Sequence, residues 1–209
     1  AEEVIRYCLD LAKKRGAKTI AKSKSLTTEE IELNHPLIES GTDVIETDLG
    51  ELIIQLANEK PFHLVFPSIH KMAPDVAKIF SEVTGKKVES DIPAIMEVVR
   101  EYLRPIFLKA DIGLTGANIG VAETGGICIE TNEGNARLVS SIGSCHVCVV
   151  GMEKIVESIE DAMLMIMAHP VSASGQLPTT YVTWMHGRSP LGQAENPEPR
   201  ESHVIILDN

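Results

Sequence analysis

The residues best placed to do chemistry lie in a glycine-rich stretch, residues 110–135. Glycines let a backbone approach a ligand closely, and Glu123 stands among them. A carboxylate partly withdrawn from water can act as a nucleophile or a base, so Glu123 is the first candidate catalytic residue. The alternative is that the glycines only form tight turns and that Glu123 caps one of them. The same stretch supplies the candidate ligand-binding residues Thr115, Gly116, Asn118, Thr124, Gly125, Asn132, Glu133 and Asn135.

A loop with two serines and a lysine forms the second candidate site. Ser23, Lys24 and Ser25 follow a short apolar strand, and Thr27 opens a T-x-x-E pattern that predicts the start of a helix. The free amides and the dipole of a helix N-terminus attract anions, so Lys24 and the hydroxyls could hold a carboxylate or a phosphate. The alternative is an ordinary loop with a solvated lysine.

His70 is the second candidate catalytic residue. It follows the apolar run 62–66, which the sequence predicts to be a strand, so the imidazole would stand at a strand's carboxyl end. A histidine there could act as a base or orient a carboxylate. The alternative is a purely structural histidine.

Cys145 and Cys148 have the spacing of half a zinc site or of a redox pair. The other two cysteines, Cys8 and Cys128, lie far away in the sequence, and free cysteine is a common core residue. We therefore predict structural cysteines that bind no metal and form no lasting disulfide.

These candidates need a framework that brings them together, and the hydrophobic pattern predicts one. Short apolar runs alternate with amphipathic stretches of helical period. Such alternation predicts an α/β fold with a mostly parallel sheet and helices on both faces. Ligands bind beyond the carboxyl ends of the strands in such sheets. The eight predicted strands are 19–21, 44–45, 62–66, 112–114, 127–130, 147–150, 181–185 and 204–207, and the six predicted helices are 4–15, 27–40, 48–56, 74–84, 91–105 and 158–169.

Composition and charge restrict the classes of function that the chain can have. The 209 residues carry 19 Lys and Arg against 30 Asp and Glu, for a net charge of −11, which would repel a nucleic-acid backbone. No run reaches the roughly 18 apolar residues that a membrane span needs, and the N-terminus lacks a signal-peptide layout. Four scattered cysteines indicate a reducing compartment, which predicts a cytoplasmic protein. The length and composition fit one domain over residues 1–209.

Several motifs, in a fixed order, resemble those of one protein family. They are KSKSLTTEEI at 22–31, ETDLGE at 46–51, IQLA at 54–57, PSIHK at 67–71, the glycine-rich stretch, and the segments 175–182 and 203–209. On these motifs the chain is identified as a member of the LUD-domain family of lactate utilization proteins, and it resembles most the iron–sulfur-binding B type. Ser174 and Gln176, beside Gly175, join the candidate ligand-binding residues.

The resemblance implies a fold similar to ribose-5-phosphate isomerase, glucosamine-6-phosphate deaminase and the CoA transferases. It also implies a part in oxidising L-lactate to pyruvate, with other lactate utilization subunits as partners and a small carboxylate or phosphate as ligand. B-type members carry a C-terminal C-x-x-C-x-x-C-x-x-x-C-P region, and this sequence has no such run. We therefore expect no cofactor in this chain, which resembles a fragment of a longer protein, and [4Fe-4S] clusters in the missing C-terminal region.

Two other functions remain open. The chain could be a stand-alone enzyme of the isomerase or CoA-transferase type with Glu123 as nucleophile or base, or a non-catalytic scaffold with a vestigial pocket. Lactate oxidation needs an electron or hydride acceptor, and the sequence has neither a G-x-G-x-x-G turn that opens a helix nor clustered cysteines. We therefore expect the isolated domain not to oxidise lactate by itself.

Overall fold

The computed structural model describes residues 1–63, 65–141, 143–177, 180–187 and 200–208. These residues contain nine strands and eight α-helices, and no helix among them has the length and hydropathy of a membrane-spanning segment. The elements in chain order are α1 (Glu2–Arg15), β1 (Thr19–Lys22), α2 (Leu26–Glu30), α3 (Asn34–Glu39), β2 (Asp43–Glu46), α4 (Leu49–Ala57), α5 (Ala73–Thr84), α6 (Ile92–Lys109), β3 (Ile112–Thr115), β4 (Ile119–Val121), β5 (Gly126–Thr131), α7 (Asn135–Ser141), β6 (Cys145–Gly151), a 3-10 helix (Met152–Lys154), β7 (Ile155–Val156), α8 (Ile159–Ser174), β8 (Tyr181–Met185) and β9 (Glu201–Leu207).

Five strands form a wholly parallel sheet, which we call sheet A. Their order is β2-β1-β3-β6-β9, and every neighbouring pair is parallel. The predicted α/β fold class, a mostly parallel sheet flanked by helices, is therefore confirmed. Because the strands run in one direction, their last residues share one edge of the sheet, where Lys22 ends β1 and Glu46 ends β2.

Helices cover both faces of sheet A. On one face, α1 and α3 pack against alternate strand residues, in a core that includes Leu11, Leu37 and Val147. On the other face, α7 lies so close to β3 that a Cβ at Gly113 would stand 2.1 Å from the carbonyl oxygen of Val139. Helices α4, α5 and α6 enclose a further apolar core. Sheet A is therefore a rigid platform for the side chains at its edge.

Four shorter strands form a second sheet, sheet B, in the order β7-β4-β5-β8. Strands β4 and β5 make an antiparallel hairpin, β8 pairs antiparallel with β5, and β7 pairs parallel with β4. Helix α8 packs on this sheet through Ala162 and Ile166. The sequence pattern predicts neither β4, in which Gly120 interrupts the apolar residues, nor β7, which has only two residues.

The predicted strand 62–66 is wrong. The described residues of this segment, all but Leu64, belong to no strand. The imidazole Nδ1 of His63 accepts hydrogen bonds from the backbone amides of Val65 and Phe66, both at 3.1 Å. The His63 side chain thus accepts the hydrogen bonds that a neighbouring strand would accept from these amides in a sheet. The side chains of Phe62, Val65 and Phe66 stay exposed, so the apolar run does not mark a buried strand.

The second predicted helix is in fact two helices, α2 and α3. Helix α2 is capped by Ser25, whose Oγ accepts from the amide of Thr28 at 3.4 Å, rather than by Thr27 as predicted. Glu32 then adopts a left-handed φ of 50°, which interrupts the helical ladder. Pro36 could not donate the hydrogen bond that a continuous helix would need at that position. These two residues account for the break.

Helices α1, α4 and α5 lie close to their predicted positions, whereas α6 and α8 extend beyond their predicted ends and α7 is not predicted by the sequence. Asp48 caps α4 through the amide of Glu51, and Gly16 ends α1 in the left-handed conformation. Helix α6 continues through Pro105 to Lys109, although the sequence predicts a kink or a stop at the proline. Apolar residues on both sides of Pro105 pack into the core of α4, α5 and α6, and this burial offsets the lost hydrogen bond.

Candidate functional site

A buried ion pair stands at the carboxyl edge of sheet A. Lys22 and Glu46 lie opposite each other in the β1–β2 ladder. Lys22 is fully buried, and its Nζ donates to Glu46 Oε1 at 2.6 Å. Asn34 Nδ2 donates to the same oxygen at 2.8 Å. The pair is tolerated in the interior because each charge meets an opposite charge or a donor, although Glu46 Oε2 has no partner among the described residues.

Two further carboxylates crowd this ion pair. Glu29 Oε1 lies 3.9 Å from Lys22 Nζ, and Glu51 Oε1 forms a 3.3 Å ion pair with Lys24 Nζ. Burial raises the pKa of both carboxyls, and the charge of Glu51 raises that of Glu29 further. With Glu46, the edge holds three carboxylates and two ammonium groups. This balance disfavours an added anion.

The predicted anion-binding loop lies beside this cluster. Lys24 donates to the carbonyl of Val65 at 2.9 Å and pairs with Glu51, so its charge is satisfied within the protein. Ser25 lies against Gly116, where a Cβ would come within 2.7 Å of the serine Oγ. The structure therefore brings two predicted site residues together, but their contact is packing. The anion site in this loop stays a prediction.

A cleft of about 720 Å³ opens between sheet B and α8. Its walls are the β3–β4 link, the end of β5 with the loop that follows, the 3-10 helix after β6, and the C-terminal half of α8. Its volume is within the range of small-molecule sites. Five of the predicted ligand-binding residues meet there, namely Asn118, Asn132, Glu133, Ser174 and Gln176.

A histidine–glutamate pair lines the cleft. His169 on α8 bonds through Nδ1 to Glu130 Oε1 on β5 at 2.8 Å. The Glu130 side chain is 9% exposed, and its backbone amide donates to Asn118 Oδ1 at 2.9 Å, so the carboxylate is held in place. In the neutral form of this imidazole, the carboxylate selects the tautomer with the proton on Nδ1. Nε2 is then a free acceptor within the described part of the chain.

Lys154 supplies the cleft's ammonium group. Its Nζ donates to Thr27 Oγ1 at 3.2 Å and lies 3.8 Å from Glu153 Oε1. Thr27, one of the predicted ligand-binding residues, therefore contacts a residue of the cleft wall, Lys154. Glu153 and Glu133 are exposed, where water screens their charge. Lys154 and the side-chain amides are the groups that could bind a carboxylate there.

The hairpin residues singled out in the sequence lie away from the cleft. Glu123, Thr124 and Gly125 form the turn between β4 and β5, at the end of these strands opposite the cleft. Glu123 Oε1 accepts a hydrogen bond from the amide of Ile159 at 2.9 Å, at the start of α8. This contact matches the alternative in which Glu123 caps a neighbouring element. A catalytic role for Glu123 stays a prediction.

His70 lies in the turn between α4 and α5. Its Nε2 pairs with Glu59 Oε2 at 2.9 Å, and Lys71 bonds to the same carboxylate. Hydrogen bonds from Lys71 and His70 lower the pKa of Glu59. Because no strand precedes it, His70 does not occupy the strand end that the sequence predicts. Its catalytic role stays a prediction, and it does not line the cleft.

Three more predicted residues occupy other places. Ser23 is buried beside β1, where its amide donates to the β3 carbonyl of Leu114 at 2.9 Å. Asn135 lines a second cavity of about 790 Å³, bordered mainly by α6 and α7. Thr115 is buried in sheet A, and its Oγ1 bonds to His146 Nε2 at 2.8 Å.

The Thr115 hydroxyl belongs to a buried polar cluster that also contains Cys148. Burial lowers the pKa of His146 to about 3 and raises that of Cys148 to about 12. Both groups are therefore neutral at pH 7. His146 Nδ1 has no partner among the described residues. The cluster is closed to solvent, so it contributes to the core rather than to a binding surface.

The four cysteines do not cluster around one point in the structure. All are buried and free. Cys8 and Cys145 belong to the core under α1, Cys148 lies in the core on the opposite face of sheet A, and Cys128 lies under α8. An iron–sulfur cluster needs several thiolates around one point, and these four residues do not provide them.

Cys145 does have two potential ligands nearby. Its Sγ, a Glu201 oxygen and a His203 nitrogen lie within 4.8 Å of one another. Glu201 already pairs with Arg15 at 3.0 Å, and His203 Nδ1 bonds to the hydroxyl of Tyr7 at 2.8 Å. Both residues thus have protein partners, and an arginine borders the group. The prediction that Cys145 binds no metal is untested.

Sequence reasoning missed the residues that define the cleft chemically. Glu130 ends a predicted strand and His169 ends a predicted helix, but they are 39 positions apart. Lys154 follows a buried strand, at a carboxyl end of sheet A. The carboxyl-end rule could have selected Glu130 and Lys154. Nothing in the local sequence pairs His169 with them.

The fold and the cleft define a class: an α/β domain with a parallel sheet, a second mixed sheet, and a polar small-molecule cleft between the second sheet and its helix. A model of the family described as "LUD domain" matches residues 1–207. The chain therefore belongs to the LUD-domain family, as the sequence motifs indicate.

Relatives named lactate utilization protein B are similar to this chain. Those of Bacillus cytotoxicus and of Bacillus cereus strain AH820 are each 42% identical over 208 residues, which is 100% of this chain and 43% of each relative. The chain thus spans less than half the length of these relatives. A solved structure of a DUF162 family protein from Deinococcus radiodurans aligns with 100% of this chain and 99% of that one, with a TM-score of 0.41 and 16% identity.

Proposed function

We propose that this LUD domain takes part in lactate utilization by holding a small carboxylate in the cleft between sheet B and α8. The observation that carries the proposal is the meeting, in one cleft, of the Lys154 ammonium group with the Glu130–His169 pair. The name shared by the relatives, lactate utilization protein B, supports lactate as the ligand, and the oxidation implied by the family resemblance adds pyruvate.

The cleft offers a carboxylate complementary contacts. Lys154 supplies a positive charge whose side chain is 35% exposed, so a ligand can reach it. Asn118 uses its Oδ1 for the amide of Glu130, which leaves its Nδ2 as a donor. Asn132, in the loop after β5, and Gln176, just after α8, also line the cleft with side-chain amides. A charge-assisted hydrogen bond to Lys154 would provide most of the affinity, and the amides would orient the ligand.

The iron–sulfur part of the function belongs, in this proposal, to a region outside this chain. The four buried cysteines are distributed over three separate cores, which does not fit a cluster, so no step of the chemistry is assigned to them. The relatives are more than twice as long as the matched segment, which leaves room for such a region and for docking of partner subunits. Four free thiols fit a reducing compartment, so we propose a cytoplasmic location.

The test is ligand-dependent thermal stability of three variants. We expect L-lactate and pyruvate to stabilise the wild-type domain, by about 2.7 kcal/mol at a hundredfold excess over the dissociation constant. Lys154→Ala should lose most of this stabilisation. Lys78→Ala, which alters an exposed lysine on α5, is the matched control and should keep it. Lys24→Ala tests the alternative site in the loop that contains Ser23, Lys24 and Ser25. If Lys24→Ala loses the ligand-dependent stabilisation and Lys154→Ala keeps it, the ligand binds at that loop.

A stand-alone isomerase or CoA transferase is the second candidate, and the structure offers it less support. The Glu123 carboxylate accepts a hydrogen bond from the Ile159 amide at the start of α8, and it lies at the end of the β4–β5 hairpin opposite the cleft. Turnover of CoA esters or sugar phosphates by the purified domain, abolished in Glu123→Gln, would favour this candidate. If no ligand binds at all, the non-catalytic scaffold becomes the better account.

A further inference from the structure

The Glu130–His169 pair differs from the other histidine–glutamate pairs of the described structure in where its free nitrogen lies. His70 pairs with Glu59 at the surface, and both ring nitrogens of His203 are bonded. His169 alone of these three lines a cleft, and its Nδ1 is the bonded nitrogen. Its Nε2 therefore remains available to a ligand in that cleft.

We propose that His169 recognises the 2-hydroxyl group of a bound 2-hydroxycarboxylate, while Lys154 holds the carboxylate. The proposal rests on the proposed function and adds a specificity-determining residue to it. A neutral imidazole with Nδ1–H directed to Glu130 presents a lone pair at Nε2, which accepts a hydrogen bond from a hydroxyl group. A ligand with no hydroxyl group at C2 cannot donate that bond.

Glu130 is the positioning residue for this contact. Its carboxylate sits where burial strengthens the bond to His169, because water competes little there. The Glu130 backbone is fixed by Asn118, and β5 is paired on both sides, with β4 and with β8. His169 projects from a helix of 16 residues. The acceptor is therefore held by two regular elements before the ligand arrives, which reduces the entropy lost on binding.

The chemistry gives a defined order of affinities. L-Lactate can use both Lys154 and His169 Nε2. Propionate has the same carbon chain but no hydroxyl group, so it can use only Lys154. Pyruvate places a carbonyl oxygen, which is an acceptor, opposite the acceptor nitrogen of a neutral imidazole. We expect lactate to bind about fivefold to tenfold more tightly than propionate or pyruvate at pH 8.

Calorimetric titration of the three acids tests the proposal. In His169→Phe, lactate affinity should fall to that of propionate, while propionate affinity stays unchanged. In Glu130→Leu the ratio of the two affinities should also fall towards one. Glu130→Gln retains an oxygen that can accept from Nδ1, and it should restore most of the ratio. This rescue would not be expected if Glu130 only supported the fold.

His203→Phe is the matched control, since it removes a histidine that pairs with a glutamate outside the cleft. It should leave the lactate-to-propionate ratio unchanged. Equal binding of lactate and propionate by the wild-type domain would overturn this inference and leave the proposed function standing, as would a ratio that survives in His169→Phe. Failure of all three acids to bind would overturn both. The wild-type ratio is informative even if a variant does not fold.

Discussion

At the scale of single residues, burial decides what an ion pair contributes. Lys22 and Lys86 each lie 2.6 Å from a glutamate, Glu46 and Glu101 respectively. Lys22 has no exposed surface, whereas both members of the Lys86 pair are mostly exposed. An exposed pair is screened by water, while a buried charge without its partner pays its desolvation cost in full. Two ion pairs with the same N–O distance therefore contribute differently to stability.

Lys22→Met should lower the free energy of unfolding by about 3–5 kcal/mol, because it leaves the Glu46 carboxylate buried without its cation. Lys86→Met is the matched control and should leave the denaturation midpoint unchanged within error. Urea denaturation of both variants measures the difference. Equal midpoints for the two would show that the buried pair is not a stabilising contact.

The buried imidazole of His146 should make stability fall in acid. Its pKa is lowered to about 3 in the folded protein, whereas an unfolded histidine titrates near 6.5. Between these values the unfolded state binds the extra proton, so stability decreases as the pH falls, by up to about 1.4 kcal/mol per pH unit. Denaturant unfolding between pH 7 and pH 4 should show a shallower pH slope for His146→Gln than for wild type. Identical slopes would contradict the assignment.

Some site residues could be predicted from the sequence, and the reason is their position in the strands. Asn118, Asn132 and Glu133 are candidate ligand-binding residues in the sequence, and they do meet in the cleft, beside the ends of β4 and β5. Lys24 was expected to be free, but its neutralisation depends on Glu51, 27 positions later, and local sequence does not reveal that contact. His169 was missed for the same reason. Side-chain partners across the fold are the information that a local pattern lacks.

At the scale of secondary-structure elements, segments with a clear hydrophobic pattern were predicted well. Very short strands, and a segment whose amides are bonded by a nearby side chain, were not. The five strands of sheet A were predicted as short apolar runs, and α4 and α5 show a helical hydrophobic period. The run 62–66 has strand-like composition, but the His63 side chain bonds its amides locally. Strand β4, in which Gly120 interrupts the apolar residues, and β7, which has only two residues, are not predicted. Sequence reasoning thus found only β5 and β8 of sheet B, which forms one wall of the cleft.

The packing of α7 on β3 leaves no room for a side chain at Gly113. A Cβ there would overlap the Val139 carbonyl oxygen, which belongs to helix backbone and cannot rotate away. We expect Gly113→Ala to destabilise the domain by about 1–3 kcal/mol or more, because α7 must shift. Thermal or urea denaturation measures the loss. A change below about 0.5 kcal/mol would mean that α7 is not fixed on this strand.

At the scale of the whole molecule, this domain corresponds to 43% of the length of its relatives. Its own residues offer an ammonium group, an imidazole and amides in the cleft, which suit binding and orientation of a small acid. Its cysteines are dispersed among three cores and do not suit electron transfer. Our proposal assigns binding to this domain and redox chemistry to a region outside this chain.

This division predicts that the isolated domain does not convert L-lactate to pyruvate. Pyruvate formation with an artificial electron acceptor should be absent for the 209-residue domain and should appear with a longer protein and its partners. The domain must first be shown to bind lactate, so that an inactive sample is not a misfolded one. Turnover by the domain alone, at a rate comparable with the assembled system, would place the chemistry in this chain.

The most direct test of the central claim is a crystal structure of the domain with L-lactate at saturating concentration. The account predicts one lactate in the cleft, with its carboxylate on Lys154 and its hydroxyl oxygen about 2.6–3.2 Å from His169 Nε2. Lactate bound instead at Lys24, at His70 or beside Glu123, with the cleft empty, would contradict the account.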